Sequence, residues 1–196
     1  MLFDLELYLL RHGDAGRSTA LAASQHSGDL SLTTAGREEI AVLARSLKHI
    51  NLKFDAIISS PLKRAIQTAK IIAKALVMEK RISIWNELVP EGNRSKLYRR
   101  LNQYTRESTI LMVGHQPYLT NIICDMIFQK RVNQVGRINL KKAGLAKIRV
   151  ISLIPNTSGE LRWLLTPRIL KSLAKDGSKK SLAYKKIEKV SGSNKG

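Results

Sequence analysis

LELYLLRHG, residues 5–13, is a short apolar run that stops abruptly at a cation, an imidazole and a glycine. Leu5, Leu7, Tyr8, Leu9 and Leu10 fit a strand buried on both faces, as in the parallel sheet of an α/β domain. In such sheets functional residues gather beyond the carboxyl ends of the strands, which places Arg11, His12 and Gly13 at that edge. Gly13 has no Cβ, so a ligand can approach the backbone there. This combination suits an anion or a phosphoryl group. Arg-His-Gly also recurs by chance, and most histidines are not catalytic, so the rest of the chain has to carry the assignment.

Working outward, residues 14–32 are rich in Ser, Ala and Gly and read as a loop over the site. Thr33 and Thr34 offer an N-cap, with Glu38 and Glu39 placed for a first turn. Ile40, Leu43, Ala44 and Leu47 follow at helical spacing. Residues 54–59 (FDAIIS) read as a second buried strand. Ser60 then reads as the cap of a helix with Pro61 at its first position. The buried stripe of that helix is Ala65, Ile66, Ala69, Ile72, Ala73 and Leu76. Arg64 falls in its first turn, where unpaired N–H groups and the helix dipole favour an anion; by spacing alone it reads rather as a solvated arginine beside Lys63.

Residues 82–85 form a weaker third strand, and a loop with Pro90 and Gly92 carries Glu87 and Glu91. Residues 96–105 suit a helix. Residues 109–113 (TILMV) are the clearest internal strand and run straight into Gly114 and His115. Pro117 then opens another helix. Residues 146–154 and 160–165 flank a turn and read as a hairpin, followed by a short helical segment over 168–174. Parallel strands would bring His12, His115 and the Arg64-bearing helix to one edge of the sheet.

The 196 residues suffice for one domain and a tail, and 43 % hydrophobic content supports a real core. The single cysteine, Cys124, excludes an intrachain disulfide and a multi-cysteine zinc site, and reads as core filler. His26 and His49 have no neighbours at ligand spacing, so no metal site is expected. Without a basic leader or a run approaching ~20 apolar residues, the chain reads as cytoplasmic. Net charge is +19, and residues 168–196 supply nine basic and two acidic groups of that balance. The excess is therefore chain-wide. It would concentrate phosphorylated or acidic partners and favour salt-sensitive polyanion binding, or it is simply solvated surface.

The ordered motifs LYLLRHGDA at 7–15, LTTAG at 32–36, SSPLKRAIQTA at 59–69, ELVPEG at 87–92, VGHQPYL at 113–119 and WLLTP at 163–167 carry a resemblance. With these spacings the chain resembles the histidine phosphatase (phosphoglycerate mutase-like) superfamily, and within it the small SixA-type phosphohistidine phosphatases. The resemblance implies a three-layer α/β/α sandwich with a mostly parallel central sheet over residues 1–174. Residues 175–196 would form a basic, flexible tail.

It also implies that His12 is a nucleophile that becomes transiently phosphorylated, with Arg11, Arg64, His115 and Gly13 holding the phosphoryl group. Glu87 matches the proton donor's position best, with Glu91 and Asp14 as alternatives. No cofactor and no metal are implied. The loops are short, with about 22 residues from Glu87 to Thr109. They would leave an open site, suited to a phosphorylated protein such as a histidine-containing phosphotransfer domain. A small phosphate ester is the alternative substrate on the same scaffold. From another class, a catalytically idle basic module would bind nucleic acid or an acidic protein, but Arg11, His12, Arg64 and His115 together weigh against it. A membrane partner is not expected.

Overall fold

The computed structural model describes residues 5–16, 30–104, 108–128 and 138–175. Strand β1, Leu5–Arg11, is the pivot of a six-stranded sheet in which β2 is Ala56–Ser59, β3 Ile82–Ile84, β4 Thr109–Gly114, β5 Leu145–Ser152 and β6 Ser158–Leu165. The order across the sheet is β3-β2-β4-β1-β5-β6. The first four strands are mutually parallel, and β5 returns antiparallel to β1 before pairing with β6 as the expected hairpin. The sheet is thus mostly parallel.

Burial along β1 explains its continuous apolar run. Leu5, Leu7 and Leu9 enter one core with Trp85, Leu88 and residues of α3 (Arg94–Leu101) and α4 (Tyr118–Ile127). Tyr8 and Leu10 enter the other core, shared with α1 (Thr34–His49), α2 (Lys63–Leu76) and α5 (Pro167–Lys175). Alternate side chains of one strand therefore serve two layers, which is the three-layer sandwich. Tyr8 meets Phe54 and Trp163 edge-on, with ring centroids 5.2 and 5.6 Å apart, the arrangement aromatic quadrupoles favour. Glu6, the one acid within the strand, pairs with Lys147 at 2.7 Å.

Three local expectations are corrected. Helix α2 begins at Lys63 with Leu62 in the cap position and no side-chain cap bond. Ser60 instead accepts the Leu62 N–H at 3.3 Å and turns its hydroxyl toward His115. Helix α1 is capped by Thr33, which accepts the Gly36 N–H at 2.9 Å. That sets Glu38 and Glu39 beyond the first turn, which carries no acid. Cys124 is half-buried rather than core. Most of the expected loop over 14–32 and all but the first residue of the expected tail lie outside the described residues. Among the described residues no helix is long and apolar enough to cross a membrane.

Candidate active site

Strand ends β1, β4 and β2 lie side by side, and β1 and β2 each continue their pairing with β4 one residue past the strand. The His12 N–H donates to Gly114 O at 3.1 Å, and the Ser60 N–H donates to Val113 O at 3.0 Å. This register sets His12 beside His115, with ring centroids 5.1 Å apart. It also sets Ser60 under His115, whose Nε2 lies 2.8 Å from Ser60 Oγ. Arg64, in the first turn of α2, donates from Nε to His12 Nε2 at 3.3 Å. Thr68, one turn further on, accepts the Gly13 N–H at 3.2 Å and donates to Arg64 O at 2.8 Å. One helix face thereby fixes both the arginine and the backbone after the histidine.

The partners assign the His12 tautomer. Nδ1 lies 2.7 Å from Gly13 O, an oxygen that only accepts, so Nδ1 carries the proton. Nε2 then keeps its lone pair and accepts from Arg64. His12 is 8 % exposed. Burial first, then the charges of Arg64, Arg11 and Lys142, push its pKa down to about 4 against the opposing pull of the Gly13 carbonyl. His115 is pushed down to about 3 by burial and by the charges of His12, Arg64 and Arg11. Both rings are neutral at physiological pH, which suits His12 to act as a nucleophile without a separate base.

Arg11 donates from Nη1 to Leu140 O at 3.0 Å. Burial lowers the pKa of Arg11 and Arg64, and guanidinium groups remain charged in proteins. Among the described residues, Arg11 Nε and His115 Nδ1 are buried without a hydrogen-bond partner, capacity at the strand ends for a bound anion. Two cations, Arg11 and Arg64, and the His115 imidazole around His12 Nε2 form an anion site able to surround the equatorial oxygens of a phosphoryl group.

The carboxylates are placed differently. Glu87 sits on a 3-10 turn, Asn86–Leu88, beyond the edge strand β3, and its Oε2 accepts from Arg100 Nη1 at 3.1 Å. The Arg100 guanidinium lies over Trp85, 3.9 Å from the ring centroid. Glu91 is exposed. Asp14 accepts from Lys142 Nζ at 2.6 Å and from Thr33 Oγ1 at 3.1 Å. Those hydrogen bonds, led by that from Lys142, hold its pKa below the usual carboxylate value. As a carboxylate, Asp14 is in the wrong state to donate a proton.

The structure thus brings Arg11, His12, Gly13, Arg64 and His115 together and leaves Glu87 tied to Arg100. Sequence reasoning missed Ser60, Thr68 and Lys142. Thr68 lies four residues after Arg64, one turn along the same helix face, a spacing that could have found it. Lys142 reaches the site through a long-range loop contact that no local pattern marks.

A three-layer α/β fold with a buried neutral histidine among arginines at the strand ends makes a candidate anion site. The family model of the histidine phosphatase superfamily (branch 1) matches residues 7–89. An uncharacterized protein of Picosynechococcus sp. is 33 % identical over 171 residues, covering 85 % of this chain and 99 % of its own length. The phosphohistidine phosphatase SixA of Escherichia coli is 27 % identical over 124 residues, 62 % of this chain and 74 % of that protein.

Among solved structures, the protein histidine phosphatase SixA complexed with tungstate superposes with a TM-score of 0.69 at 22 % identity, over 85 % of this chain and 99 % of that one. A phosphoserine phosphatase of Entamoeba histolytica superposes with a TM-score of 0.63 at 17 % identity, over 85 % and 99 %. The chain belongs to the histidine phosphatase superfamily, and that membership supports phosphatase activity.

Proposed function

We propose that this protein hydrolyses phosphohistidine on a phosphorylated protein, such as a histidine-containing phosphotransfer domain, through a phosphorylated His12. The His12 Nε2 lone pair attacks phosphorus in line. The bond from phosphorus to the substrate imidazole breaks, and that imidazole leaves neutral, its other ring nitrogen taking a proton from solvent. Arg11, Arg64 and His115 hold the equatorial oxygens, where charge is spread in a loose transition state. Water then attacks the phosphorylated His12, releasing phosphate and restoring the neutral ring. No metal takes part in either step.

The observation that carries the reading is the state of the candidate acids. Asp14 is paired with Lys142 and Glu87 with Arg100. An ester substrate needs a proton donor, worth typically ~10²–10⁴ in rate, whereas an imidazole is a better leaving group and dispenses with one. The similarity to the phosphohistidine phosphatase SixA points the same way. A metabolite phosphatase is the second reading, favoured by the likeness to a phosphoserine phosphatase; it would require Glu87 to leave Arg100 and protonate the leaving oxygen.

The test compares a phosphohistidine-bearing protein with phosphoserine, in chelator, for wild type and Glu87→Gln. The expected result is a higher kcat/KM for phosphohistidine, little changed in Glu87→Gln, with residual ester hydrolysis lowered by about 10²-fold. Faster turnover of phosphoserine, or equal losses on both substrates, would overturn the phosphohistidine reading.

A further inference from the structure

The loop over residues 138–144, which leads into β5, is built onto the backbone of the nucleophile. Gly144 O accepts the Arg11 N–H at 3.1 Å, and the Ala143 N–H is shared between Arg11 O and His12 O at 3.1 and 3.2 Å. Arg11 reaches back to Leu140 O. Ala143 is fully buried with a φ of 54°, a conformation a non-glycine residue holds only where its surroundings over-determine it. Lys142 is therefore delivered to the site by anchored residues on either side, and its charge reaches His12.

Its ammonium rests 2.6 Å from Asp14 Oδ1, while Thr33 holds the other carboxylate oxygen at 3.1 Å. The lysine and aspartate side chains are 46 % and 41 % exposed. An exposed pair of this kind is weak and readily exchanged, and a lysine is a point charge on a flexible stem. A phosphoryl group arriving at His12 offers that charge more acceptor oxygens than one carboxylate does.

We propose that Lys142 is a further phosphoryl-binding residue, parked on Asp14 in the free enzyme and passed to the phosphoryl oxygens when substrate enters. This rests on the phosphatase reading above. Asp14 then acts as a resident counter-ion that keeps Lys142 at the rim and competes with substrate for it. The two residues of one ion pair consequently have opposite effects on anion affinity.

The experiment measures vanadate affinity and kcat/KM for wild type, Lys142→Ala, Lys142→Arg, Asp14→Asn and the Asp14→Asn, Lys142→Ala double variant. Lys142→Ala is expected to weaken vanadate binding about tenfold, the loss of one charge-assisted hydrogen bond, with Lys142→Arg recovering most of it. Asp14→Asn is expected to tighten binding about threefold by releasing the lysine. In the Lys142→Ala background the same change should do nothing, because its effect runs through the lysine.

Weaker binding in both single variants would make the pair a structural tie and overturn the assignment. Equal tightening by Asp14→Asn with and without Lys142 would reduce Asp14 to a bare repulsive charge and overturn it too. An active wild type whose Lys142→Ala variant binds vanadate unchanged removes Lys142 alone. A wild type that neither binds vanadate nor hydrolyses phosphate removes the phosphatase reading itself.

Discussion

His12 and His115 are neutral because the fold takes away their water and then surrounds them with cations. In the unfolded chain both would protonate near 6.5. As pH falls below that value the unfolded state binds protons first, so folded stability drops, through about 4 for His12 and about 3 for His115. Each histidine adds a slope of about 1.4 kcal/mol per pH unit across its own window. His12→Asn should therefore abolish turnover yet lose less stability than wild type between neutral pH and pH 4, read from urea midpoints. NMR titration of the His12 ring should give a midpoint near 4. A midpoint at 6.5 would contradict the cationic, dry site.

At the scale of elements, the Asp14 backbone lies directly on the first turn of α1. A Cβ on Gly36 would come within 2.1 Å of Asp14 O, and that oxygen already accepts the Thr33 N–H at 3.0 Å. Backbone held on both sides cannot give way cheaply. Gly36→Ala should cost about 1–3 kcal/mol of stability by forced overpacking and lower activity with it. Gly16, where an added Cβ would meet nothing within 4 Å among the described residues, is the matched control, and Gly16→Ala should stay within about 0.5 kcal/mol by chemical denaturation. Comparable losses in both would argue against this contact.

Element identity was readable because apolar runs, helical stripes and turn residues are local signals. Helix α2 shows the limit. Ser60-Pro61 has the composition of a helix start, but the hydroxyl is taken by His115, a residue 55 positions away, and the helix begins at Lys63 instead.

For the whole molecule, the apolar run of β1 implied a strand buried on both faces in a parallel sheet, and the family resemblance carried by the ordered motifs implied the three layers. The sequence pattern did not contain the order β3-β2-β4-β1-β5-β6, in which β4 separates β2 from β1. Pairing between distant strands leaves no periodic trace in either one. Arg11, His12 and His115 stood out because each ends an apolar run, whereas Arg64, and the role expected of each of them, were legible only through the resemblance carried by the ordered motifs. Ser60, Thr68 and the 138–144 loop were not, since their roles arise only when strand ends meet.

Whether this arrangement makes His12 a phosphoryl acceptor is decided by trapping the intermediate. Wild type and His12→Ala would be quenched during turnover of a radiolabelled phosphohistidine protein, and the retained label mapped. The expected result is an acid-labile, base-stable phosphoryl group on His12 of the wild type and none in the variant. Label on any other residue, or turnover that survives in His12→Ala, would contradict it.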